Sequence, residues 1–260
     1  MSDYQIEVSD RIATVTLNRP EKKNALTIPQ LEAMAPEVAA LQDRDDVRVL
    51  VLTGNGDSFT SGADLVANAP LIQEGPSGQK RSLDAFHALL RAVWNFEGPT
   101  LAAIPGVAVG FGFDLALACD LRVAAQSSRY SQSFSKIALV PDGGSSLTLP
   151  MLVGAAKAFE LMYMAPLFGA DEALRLGIVG EVVPDGELGA RTAEIAARLA
   201  AGPPLAYRLA KRNLRRGMGM TMDEALDNEH EAQLQCLASS DVMVGIMAWA
   251  NKTTPEFTGA

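Results

Sequence analysis

A carboxylate can move a proton well if it is held beside a substrate and partly shielded from water, because desolvation raises its pKa toward working pH. Asp142 has that setting. Residues 139–146 read LVPDGGSS. The apolar lead-in, residues 137–140, reads as a buried segment. Pro141 stops it, and Gly143 and Gly144 turn the chain. An Asp in such a turn can bond nearby amides and do nothing more, or it can be a base at the edge of a dry cleft. Asp114, in GFGFDLALA, is the second acid in an apolar context. It starts a helix, where a carboxylate favours the dipole, or it serves as a second proton carrier.

Charge that builds on a carbonyl oxygen needs donors, and two small-residue loops can offer backbone amides. The first is FTSGADL, residues 59–65, where Gly62 and Ala63 have no bulk to block their N–H groups. The second is GVAVGFGFDLALA, residues 106–118, where Gly110 and Gly112 let the backbone approach a ligand and a helix then opens. One amide from each loop, aimed at one oxygen, would form an oxyanion hole. Glycines at a strand-to-helix turn also serve the turn and its packing, so the loops alone decide nothing.

These groups need a scaffold. Residues 11–20 alternate and break at Pro20 as a strand does. Residues 24–41 have helical spacing. Residues 47–54, VRVLVLTG, are a β-branched run closed by glycine, the pattern of a buried strand. Residues 66–80 contain Pro, Gly and Ser, lack clear periodicity and are expected to form a mobile segment. Residues 82–96 read as an amphipathic helix capped by Ser82. Short strands follow at 100–106 and 120–125, with a helix between, so the class is α/β. After about residue 185 the spacing is helical, and GPP at 202–204 divides a core, residues 1–200, from a helical region, residues 201–260.

Composition narrows the function. Of the 260 residues 48% are hydrophobic, which supports a large core and excludes a disordered chain. A formal net charge of -9 argues against nucleic acid as a partner. Lys211, Arg212, Arg215 and Arg216 read as the solvated face of a helix. Two cysteines, Cys119 and Cys236, are too few for a disulfide framework, and with only His87 and His230 no metal-ligand spacing appears. The N-terminus has no signal pattern, and the apolar stretch 101–118 carries Pro105, three glycines and Asp114, unlike a membrane span. A soluble, cytoplasmic protein is expected.

The order and spacing of LNRPEKKNAL, FTSGADL, LAAIPGVAVGFGFDLALACDLRVAA, ALVPDGG and ALRLGIVGEVV resemble the enoyl-CoA hydratase/isomerase (crotonase) superfamily over nearly the whole chain. The resemblance implies a spiral of ββα units followed by a C-terminal helical region that builds homotrimers, often paired into hexamers. It also implies an acyl-CoA thioester substrate, with coenzyme A entering as part of that substrate and no other cofactor. By matching position, Ala63 and Phe111 would supply the two oxyanion N–H groups, where many relatives have glycine at the Phe111 position. Lys22, Lys23 and Ala25 would meet adenine and phosphates. Gly62, Asp64 and Leu65 would follow the pantetheine, Gly110 would border the thioester, and Lys252 would stand near the phosphates.

The same comparison bears on the reaction. Typical hydratases of the family hold two glutamates that activate a water. Here those positions are Asp114, one methylene shorter, and Phe134, which transfers no proton. Asp142 stands where the family's double-bond isomerases keep one acid, and Phe134 would help exclude water. Isomerisation of a 3-enoyl-CoA to a 2-enoyl-CoA is the leading expectation. The alternatives are a hydratase using Asp114 and Asp142, and an acyl-CoA-binding protein without turnover. A further alternative resembles 4-chlorobenzoyl-CoA dehalogenase, in which a histidine at the His87 position pairs with the aspartate. His87 also reads as an ordinary helix residue.

Overall fold

The computed structural model describes residues 2–260. A hairpin opens the chain: β1 (Tyr4–Ser9) pairs antiparallel with β2 (Ile12–Leu17). Thr27 then caps α1 (Ile28–Ala40), bonding reciprocally with Gln30. Three units follow, each of two strands and then helix. They are β3 (Val49–Gly54) and β4 (Ser58–Thr60) with α2 (Leu65–Gln73) and α3 (Pro76–Asn95); β5 (Thr100–Ile104) and β6 (Val107–Val109) with α4 (Phe111–Ala118); and β7 (Leu121–Ala125) and β8 (Arg129–Ser131) with α5 (Ser145–Met164). The chain continues through β9 (Phe168–Gly169), α6 (Ala170–Arg175) and β10 (Glu181–Val183). Four helices end it: α7 (Leu188–Ala200), α8 (Pro204–Arg216), α9 (Met222–Ala238) and α10 (Asp241–Asn251).

The first strand of each unit joins a six-stranded sheet, in the order β1-β2-β3-β5-β7-β10. The second strands join a four-stranded sheet, β4-β6-β8-β9. Each unit therefore advances both sheets by one parallel strand, and this is the expected spiral of ββα units. The continuous apolar run in β3 has a simple cause. Leu50 and Leu52 enter the main core with Phe59, Ile104 and Phe113, while Val49 and Val51 enter a second core under α7. A strand covered on both faces has no polar side to show.

Residues 66–80 are mostly helical despite their weak periodicity: Asp64 caps α2 through the Ala67 amide, Gly75 at φ 82° separates the two helices, and Pro76 starts α3. Three local expectations are corrected. Ser82 is consequently buried inside α3 and caps nothing. Residues 137–140 are exposed, Val140 by 76%, because the short 3-10 turn Ser133–Ile137 ends with Ala138 in the left-handed region and lifts them to the surface. The cationic face of α8 is only partly solvated. Lys211 and Arg215 turn inward to Asp120 at 2.7 and 2.9 Å, and Arg215 lies over the Trp94 ring. These contacts fasten α8 to the core, and Arg48 holds the carbonyls of Phe257 and Thr258 against it from the other end.

α5 is long and apolar enough by composition to cross a membrane, but Gly154 (φ 76°, ψ 159°) breaks it into two pieces. Each piece is far short of the roughly 20 continuous helical residues a bilayer requires.

Candidate active site

The two amide loops meet. Gly62, at φ 87°, turns the chain after β4, and an added Cβ would stand 2.8 Å from the Val109 carbonyl oxygen and 3.2 Å from the Phe111 nitrogen. Main-chain bonds fix the first loop on both sides of Ala63: Leu26 N–H donates to Gly62 O at 2.8 Å, and Asp64 N–H donates to Leu26 O at 2.9 Å. The second loop is fixed at Gly110, whose N–H donates to Ser131 O and whose carbonyl accepts from Phe113 and Asp114. Among the described residues, neither Ala63 N–H nor Phe111 N–H donates to a protein acceptor. Phe111 N–H belongs to the first turn of α4, where amides have no helical partner. The Phe111 ring is buried and packs edge-on to Phe86 with centroids 4.7 Å apart.

A cavity of about 350 Å³ opens in front of these amides. Ala63, Leu65, Gly110 and Phe111 line one part, and Phe134, Leu139 and Asp142 line another. Among the described residues, Asp142 is the one carboxylate that lines it. Burial raises the Asp142 pKa above the ordinary value of 3.8, while the nearby His87 and its own backbone amide oppose the rise. The His87 ring does not face that carboxylate with its Nε2. It bonds the Asp142 main-chain oxygen at 2.9 Å, and since a carbonyl only accepts, Nε2 carries the hydrogen.

Asp114 is not in the cavity. Its side chain is sealed, with 0% exposure, behind the Asp142 turn. Gln132 Nε2 donates to its Oδ1 at 2.6 Å, and Gly143 N–H donates to its Oδ2 at 3.0 Å. Burial pushes its carboxyl up to about 7, against the pull of Gln132, of the nearby Ser145 hydroxyl and of Gly143, with the Asp142 charge adding to the rise. Asp114, expected as a catalytic acid, is thus buried outside the cavity lining.

Several expected binding residues also lie elsewhere. Lys22 and Lys23 are exposed on the short turn Pro20–Lys22 and just after it, and Ala25 is buried behind them. Lys252 ends α10 in a left-handed conformation on the surface. The Asp64 carboxylate is engaged by the Ala67 amide and by Arg19 at 3.1 Å. Gly62 acts through its backbone turn. Residues not anticipated from the sequence include Phe86, Lys136, Ser61 and Ser133, which line the cavity, and Gln132, which holds Asp114. Gln132 had no signal, since a lone amide between β8 and a polar turn looks like surface.

Two sheets advanced together by parallel strands, open amides from successive ββα turns and a cavity in front of those amides define an acyl-CoA enzyme of the crotonase type. The chain belongs to the enoyl-CoA hydratase/isomerase family, whose model matches residues 7–260. It is 37% identical to a probable enoyl-CoA hydratase of Rhodobacter capsulatus, covering 97% of this chain and 96% of that protein. It is 36% identical to 4-chlorobenzoyl coenzyme A dehalogenase-2 of an Arthrobacter species, covering 89% and 84%. It is 33% identical to 1,2-epoxyphenylacetyl-CoA isomerase of Escherichia coli, covering 97% of each. The crystal structure of an enoyl-CoA hydratase from Bacillus anthracis superposes with a TM-score of 0.94 at 30% identity, covering 99% of this chain and 100% of that one.

Proposed function

We propose that this enzyme shifts a carbon–carbon double bond of an enoyl-CoA from the 3- to the 2-position, with Asp142 as the single proton carrier. The observation that carries this reading is that Asp142 is the one carboxylate facing the cavity, with Phe134 beside it and Asp114 sealed away. Relatives of three different chemistries share the fold, so the acids in the cavity must choose among them. Isomerisation needs one group that takes a proton from C2 and returns it to C4. Hydration needs a second group to activate water, and position 134 cannot supply it.

The proposed steps use these groups. The thioester oxygen lies against Ala63 N–H and Phe111 N–H. Asp142 removes a C2 proton, and the electron pair moves through C1 onto that oxygen, where the two donors stabilise it. The pair then returns to form the double bond between C2 and C3, the C3=C4 π pair moves onto C4, and that pair takes the proton from the carboxyl group of Asp142. Atoms and charge balance with no added water. Coenzyme A would extend out of the cavity toward Lys22, Lys23 and Ala25, with Lys252 near its phosphates.

His87 keeps a dehalogenase-like alternative in view, but its Nε2 is occupied by main chain. The exposed side chains of Leu234, Leu237, Met243, Met247 and Trp249 support a homotrimer or hexamer built by the C-terminal helices, in keeping with a soluble cytoplasmic enzyme. Incubation with 3-hexenoyl-CoA, 2-hexenoyl-CoA and 4-chlorobenzoyl-CoA, followed by mass spectrometry in deuterated water, tests the reading. Conversion of the first to the 2-enoyl ester, abolished in Asp142→Asn, is expected. Water addition to the second, or chloride release from the third, without isomerisation of the first, overturns it.

A further inference from the structure

We infer that Asp114, with Gln132, is a positioning residue: its sealed carboxylate clamps both ends of segment 132–143 and so aims the Asp142 carboxylate at the substrate. This inference rests on the reading of Asp142 as the base. Gln132 immediately precedes the turn that carries Phe134, and Gly143 immediately follows Asp142. One carboxylate binds both, at 2.6 and 3.0 Å, from a helix that is buried along its whole length. His87 also holds this segment, donating from Nε2 to the Asp142 carbonyl at 2.9 Å. The base therefore sits on a loop fixed at three backbone or side-chain points, and its own carboxylate faces the cavity.

The shortness of Asp114 is part of the device. A Cβ on Gly143 would lie 2.5 Å from Asp114 Cβ and 2.7 Å from its Oδ2, so the turn rests directly on this side chain. A glutamate would push it outward. An asparagine would not. Its Oδ1 accepts from Gly143 N–H, and its Nδ2 donates to Gln132 Oε1, which is buried and has no partner, once the Gln132 amide turns over.

Asparagine at 114 therefore separates holding from proton transfer. The experiment measures kcat and KM on 3-hexenoyl-CoA for wild type, Asp114→Asn, Asp114→Ala, Asp114→Glu and Asp142→Asn. Hydrogen exchange at the Gly143 amide is followed in each. Asp114→Asn is expected to hold kcat within about threefold and to keep the Gly143 amide protected. Asp114→Ala and Asp114→Glu are expected to lose about ten- to a hundredfold in kcat, with KM within about threefold, and to expose that amide, as a loop displaced by a fraction of an ångström does. Should Asp114→Ala fail to fold, the asparagine and glutamate variants still decide. Asp114→Asn as inactive as Asp142→Asn overturns the inference and makes Asp114 a proton carrier, and full activity in Asp114→Glu overturns it too. Exchange that follows the expected pattern in a wild-type protein that does not isomerise the ester supports the clamp and removes the proposed reaction alone.

Discussion

Replacing Gly62 by alanine tests the oxyanion hole from its geometry. The added methyl carbon would stand 2.8 Å from the Val109 carbonyl oxygen, where a carbon normally keeps about 3.3 Å, so the loops must part by about 0.5 Å. Oxyanion donors act within a window of about 2.7 to 3.1 Å. A half-ångström displacement takes one of the two amides, Ala63 or Phe111, out of that window. Loss of one donor lowers kcat by about 10²- to 10³-fold. The left-handed conformation at φ 87° adds about 1–2 kcal/mol of strain on the protein as a whole. That is a fall of a few degrees in Tm for a chain of this size, well short of unfolding. The assay is steady-state isomerisation of 3-hexenoyl-CoA beside thermal melting, with a non-reacting thioester to measure binding. The expected result is a small loss of Tm, little change in thioester binding and a large loss of kcat. A variant that melts a few degrees lower and keeps kcat within threefold would refute the assignment of these amides as the donors.

Four other outcomes follow. Asp142 must be ionised to accept a proton, and burial raises its pKa, so kcat/KM should fall as pH drops through a midpoint above 3.8, a limb absent from the residual rate of Asp142→Asn. The folded pKa of Asp114, about 7, lies above its unfolded value near 3.8, so its protonation stabilises the fold fully below 3.8 and this is lost as pH rises through 7; wild type should lose about 4 kcal/mol across that window relative to Asp114→Asn, read from denaturant melts at several pH values. Phe134→Glu places a second acid at the cavity wall and should bring measurable addition of solvent oxygen to 2-hexenoyl-CoA, seen as a mass gain in ¹⁸O water. Trp249, 84% exposed on α10, should anchor subunit contact, so Trp249→Glu should lower the mass measured by light scattering without unfolding the chain.

The framework was readable where one physical demand dominates. β3 must be covered on both faces, and its sequence shows it. The glycines at 62 and 110 serve backbone conformations that other residues adopt only under strain, and they marked both amide loops. Reading failed where tertiary contacts overrule local pattern. Residues 65–73 are helical because Asp64 caps them and Asn68 is buried, its amide bonding the main chain at Ile28 and Leu26, although periodicity there is weak. Residues 137–140 look like core and are instead the exposed rim of the cavity, since a run of apolar letters cannot distinguish a core from a surface that awaits a ligand or another subunit.

Asp114 shows why the chemistry was harder to read than the fold. Its residue type and its place at the start of a helix suit an acid catalyst, and the missing methylene looked like a slight departure from a hydratase. In the structure that methylene separates two uses of one position. A longer side chain would have to displace the Gly143 backbone to fit, whereas the aspartate lies beneath that backbone and bonds it. With this carboxylate outside the cavity, Asp142 is the acid that lines it, beside the apolar ring of Phe134. A lone desolvated carboxylate without a partner to orient water favours returning the proton it took over adding a hydroxyl group. On the proposed reading, shifting the double bond rather than hydrating it turns on the side-chain length at 114 and the ring at 134.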